Sequence, residues 1–154
     1  MKIAITSAIG VLVLAALAAT AWYVFMPSVS LAEDFVALCE SKGGDHGQCY
    51  EKEVPKLYPK YDFREIFEVI REIRSLDSSY QFCHVLAHKL GEAAVADDPS
   101  KWLDAMPMNP PNSLCSNGFI HGVIVGRFRN DVLDDTSLET AIPDFKKACE
   151  PREN

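Results

Sequence analysis

Between Ile3 and Met26 no residue carries a charge, and most positions are Ala, Val, Leu or Ile. A helix over that stretch would rise roughly 36 Å at ~1.5 Å per residue, enough to cross a hydrocarbon core of about 30 Å with some tilt. Trp22 and Tyr23 stand near its end, where amphipathic rings settle at the headgroup level, and Pro27 closes the run. Ala19-Thr20-Ala21 also resembles a signal-cleavage site, yet Val24 and Phe25 extend the apolar run beyond what a cleaved segment needs. Residues 1–27 are therefore predicted to be a transmembrane signal-anchor held in the membrane by residues 3–26, with a cleaved, secreted form as the alternative. Lys2 before the span, with Glu33 and Asp34 after it, puts the N-terminus in the cytoplasm and residues 28–154 outside it.

Export decides how the cysteines are read. Cys39, Cys49, Cys83, Cys115 and Cys149 all follow the anchor, in a compartment where disulfides persist. Five is odd, which leaves one thiol over. Spacing favours Cys39–Cys49, closing a Gly-Gly-Asp-His-Gly turn, and Cys83–Cys115, with Cys149 unpaired; other pairings stay open. The chain is acidic, with 22 Asp and Glu against 15 Lys and Arg, and has no basic run, so nucleic acid is not an expected partner.

After the anchor no stretch alternates apolar and polar residues for long, whereas several show helical spacing with caps. Ser30 with Glu33 reads as a capping box opening a helix that Gly43-Gly44 stops. Asp62 with Glu65 repeats the device ahead of Phe63, Ile66, Phe67, Ile70, Ile73 and Leu76, spaced by threes and fours. Ser78 or Ser79 is read as the cap of a helix to about Asp97. The Pro107–Asn112 connector separates it from a helix ending near Asn130, and Pro143 is expected to break the last one. The expected fold is all-α: five or six helices, stabilised by disulfides, forming one extracytoplasmic domain over residues 28–154.

Two clusters could carry chemistry, Cys83-His84 through His88 to Gly91, and Cys115 through Gly118 to His121-Gly122. On a helix, His84 and His88 project side by side. They share a stripe with Gly91 and Val95, while Phe82, Leu86, Leu90 and Ala93 form a second, apolar stripe. A glycine costs a helix about 1 kcal/mol relative to Ala, and close approach of a neighbour is a usual compensation. Gly118, Gly122 and Gly126, four apart, make a smooth helix face that could supply that neighbour. Packing that face on Gly91 would bring His121 towards His84 and His88, and three imidazoles suit zinc or copper, with haem as a weaker choice. Glu92 could support a ligand or act as a base, although a solvated helix position is its simpler reading; His46 reads as an exposed turn residue.

At these clusters the chain resembles uncharacterised bacterial membrane-anchored or secreted proteins. They share a C-H-x3-H-x2-G helix and a later C-x2-G-x2-H-G segment, here Cys83, His84, His88, Gly91 and Cys115, Gly118, His121, Gly122. The resemblance implies no settled activity. It does imply longer relatives with further Cys and His segments, and so a short member or an N-terminal piece here. Three functions are expected in order: metal binding by His84, His88 and His121; a non-catalytic domain with a protein partner, whose histidines only pack; and a membrane-tethered metal-dependent hydrolase.

Overall fold

The computed structural model describes residues 27–129 and 135–149, with side chains described to 129 and again from 139 to 148. The expected span over residues 3–26 lies outside the described residues, as does the side chain of Cys149. Among the described residues no helix is long and apolar enough to cross a membrane. Among the described residues there are seven α-helices, in order α1 (27–42), α2 (His46–Glu53), α3 (Phe63–Leu76), α4 (His84–Ala94), α5 (Trp102–Ala105), α6 (Gly118–Phe128) and α7 (Asp135–Cys149). Short 3-10 turns at Val54–Leu57, Pro99–Lys101, Met106–Met108 and Leu114–Asn117 join them. No strand occurs among the described residues, so the fold is all-α.

The helix signals act much as their chemistry requires. Gly43 and Gly44 end α1 with φ of 64° and 82°, a region that side chains resist. Asp62 accepts from the Glu65 amide at 2.8 Å, and the Glu65 side chain accepts from the Asp62 amide at 2.9 Å, a complete capping box for α3. Behind it Phe63, Ile66, Phe67, Val69, Ile70 and Ile73 are buried, while Leu76, expected on that stripe, is half exposed. The two disulfides join Cys39 to Cys49 and Cys83 to Cys115, with Cα–Cα distances of 5.7 and 4.8 Å.

Four boundaries differ from the sequence reading. Ser30 is already inside α1, since residues 27–30 are helical, so it does not cap. The helix expected from Ser78 starts instead at His84 and ends at Ala94. Asp77 draws the Ser79 amide and hydroxyl into a turn, which holds residues 77–80 out of the helix. Phe82 therefore belongs to no helical stripe and is 66% exposed. Finally, α7 runs through Pro143. The missing backbone bond is local, and Phe145 beyond it stacks on Phe128 at 5.0 Å and meets Trp102 edge-on at 5.9 Å. That tertiary contact outweighs the helix-breaking preference.

The most extensive helix contact is α4 on α6. A side-chain carbon built on Gly118 would collide with the His84 carbonyl, one on Gly122 with the His88 carbonyl, and one on Gly91 with the Phe119 carbonyl, each well inside 3.0 Å. Gly126 continues the seam against Val95 and Glu92. One turn along α4 matches one turn along α6, so the two helices run parallel with backbones in contact. Parallel neighbours need a crossover, and residues 95–117 supply it. Phe119, fully buried, fastens the pair to α3 through edge-on contacts with Phe63 and Phe67 at 5.1 and 5.8 Å.

Candidate metal centre

The glycine seam and the Cys83–Cys115 bridge fix the histidines. Cys83 is the residue before α4, and Cys115 lies in the turn that leads into α6, so one disulfide joins the starts of both helices. That leading turn is left-handed, with φ between 51° and 59° at Asn112, Ser113, Cys115, Ser116 and Asn117. For residues other than glycine each such position costs about 1 kcal/mol or more. The cost is sustained by the buried bridge, by the Ser116 amide donating to the Ser113 carbonyl at 2.8 Å, and by the Asn109 amide donating to Asn117 at 3.1 Å.

With the helices in that register, the rings of His84 and His121 meet edge-on, centroids 5.1 Å apart, and His121 Nδ1 lies 3.3 Å from His84 Nε2. Phe82 also stacks on His84, with centroids 5.8 Å apart. His121 is exposed and His84 half-buried. His88, one turn along α4, does not join the pair. Its Nδ1 lies 3.0 Å from Glu92 Oε1, and the other Glu92 oxygen is paired with Arg129. Burial lowers the His88 pKa, and the nearby His84 and Arg129 push it the same way. Glu92 therefore faces the Nδ1 side of the ring, and Arg129 balances the carboxylate from the other side. Among the described residues no three His, Cys, Asp or Glu side chains are arranged to hold a metal. The three histidines are therefore a pair and a neighbour, not a ready-made triad.

The fourth histidine differs from its sequence reading. His46 is not a free turn residue. Its Nδ1 lies 2.9 Å from Asp77 Oδ2, which also accepts from the Tyr50 hydroxyl at 2.8 Å. Burial would raise the Asp77 carboxyl, but hydrogen bonds from Ser79, His46 and Tyr50 outweigh it and hold the group well below the usual carboxylate range. This cluster ties α2 to the end of α3. It joins residues about thirty positions apart, and no local pattern announces it. Arg129 was likewise not legible as a partner of Glu92, since the contact depends on the pitch of α6.

Comparison of the chain with protein-family models, with curated proteins and with solved structures found no match.

Proposed function

We propose that this chain is a membrane-anchored, extracytoplasmic helical domain that binds a transition-metal ion, zinc or copper, through His84 and His121, with His88 as the third ligand. The observation that supports it is the 3.3 Å separation of His121 Nδ1 and His84 Nε2. Two imidazole nitrogens bound to one tetrahedral ion at ~2.0–2.1 Å lie roughly 3.3 Å apart. That distance also suits one hydrogen bond between neutral rings, but such a bond at an exposed site adds little to stability. His88 suits a ligand's role: its Nδ1 lies 3.0 Å from the Glu92 carboxylate, the kind of partner metal-bound imidazoles commonly have, and its lowered pKa favours the neutral ring. Joining the pair requires a change in its side-chain conformation. The histidine pair lies at the surface, which suits a small ion better than haem, whose porphyrin needs a deep apolar slot. Glu92 is engaged by both His88 and Arg129, so it positions His88, and the proposal does not extend to hydrolysis.

A second reading rests on exposed apolar groups flanking the pair. Phe82, Val85 and Val125 are 66%, 41% and 42% exposed. A partner protein covering them would make the histidines interface residues. Elemental analysis of the full chain, purified in mild detergent without a polyhistidine tag, separates the readings. The metal reading expects near-stoichiometric zinc or copper, lost in His84→Ala/His121→Ala. Metal-free protein that takes up neither ion when offered would sink it and leave the interaction reading.

A further inference from the structure

A cavity of about 450 Å³ is lined by both cysteines of the Cys83–Cys115 bridge, by the end of α3 and by the left-handed turn before α6. Its walls hold Arg71, Arg74, Gln81, Ser113 and Ser116, with Phe82 at the rim, and no carboxylate is among its lining residues. In a chain of net charge −7 a cavity with two arginines and no acid is a local reversal of sign. The arginines are not equivalent. Arg71 reaches back along α3 to Glu68, at 2.6 and 3.0 Å, so its charge is balanced within the helix. Arg74 has no carboxylate partner among the described residues, and its Nε is buried without a hydrogen bond. An arginine without a carboxylate partner in a wall of this cavity leaves its positive charge available to an anion.

The surroundings hold this arrangement rigidly. Gln81 donates to the backbone carbonyls of Arg74 and Ser78, both at 3.3 Å, which pins the loop leading into α4 beside the cavity. Opposite it, the left-handed turn is fixed by the disulfide. The hydroxyls of Ser113 and Ser116 make no hydrogen bond among the described residues and are free to donate. A planar guanidinium fork and hydroxyl donors lining one cavity match the oxygens of a carboxylate or a phosphate.

We propose that this cavity binds a small oxyanion, the carboxylate or phosphate group of a small ligand, on Arg74 with the Ser113 and Ser116 hydroxyls. The proposal is independent of the histidine pair. The test is an NMR titration of the full chain in uncharged detergent at constant ionic strength. Inorganic phosphate and acetate form the two anion arms, and choline chloride is the control. The expected result is saturable shifts of the Ser113 to Ser116 amides with phosphate or acetate, on the order of millimolar affinity, and none with choline. Arg74→Gln should weaken binding about tenfold or more, and Arg64→Gln, on α3 outside the cavity, should not. If Arg74→Gln does not fold, Arg74→Lys carries the test, because it keeps the charge but loses the fork and should bind more weakly than the parent. Absence of saturable shifts with both anions, or binding that survives loss of the Arg74 guanidinium, would overturn the assignment.

Discussion

At the scale of single residues, three glycines decide where the histidines sit. Gly91, Gly118 and Gly122 each face a backbone carbonyl of the partner helix at a distance that excludes a methyl group. Gly122→Ala should therefore lower stability by about 3 kcal/mol, because the two helices must separate to admit the carbon. Gly43→Ala, where φ is 64° but nothing lies within 4 Å, should cost only about 1 kcal/mol of backbone strain. Urea unfolding of both variants checks this, and equal losses would mean that α4 and α6 are not in backbone contact. The seam could be read in the sequence because helical glycines spaced by fours have few physical explanations. The histidine geometry could not. Which ring nitrogen faces which depends on rotamers and on small helix rotations, so three imidazoles on the right faces became one pair and a neighbour held by Glu92.

At the scale of elements, the well-capped helix was legible and the loops between helices were not. The capping box of α3 involves residues three apart, and its outcome is local. The turn that keeps residues 77–80 out of α4 is made by Asp77, which gathers His46, Tyr50 and Ser79, and two of those three lie far away in sequence. Proline logic failed at Pro143 for a similar reason, since aromatic packing of Phe145 on Phe128 and Trp102 acts over a distance no window includes. Asp77 also gives the fold a pH dependence of definite sign. Its folded-state pKa is depressed below the ordinary value near 4. Its contribution is thus fully present above that ordinary value and is lost as pH falls through the depressed one. Asp77→Asn should cost about 1.5–3 kcal/mol at pH 7. The variant should also lose less stability than the parent between pH 5 and pH 3, as read by urea unfolding at each pH. An unchanged acid slope would show that Asp77 is not the linked group.

At the scale of the whole molecule, α4 and α6 act as one rigid unit. A disulfide joins their leading ends, a glycine seam joins their lengths, and Phe119 clamps the pair to α3. The His84–His121 pair and the arginine cavity both lie beside this bridge, and Phe82 borders each. Cobalt(II) tests the proposed metal site most directly, because four-coordinate cobalt absorbs visible light far more strongly than the hydrated ion. The full chain in detergent, with disulfides intact, should bind one cobalt ion with intense tetrahedral bands that zinc displaces. His84→Ala and His121→Ala should each abolish the bands, and His88→Ala should weaken or shift them. A titration that yields only the pale spectrum of hydrated cobalt, or bands unchanged in His84→Ala and His121→Ala, would contradict the account.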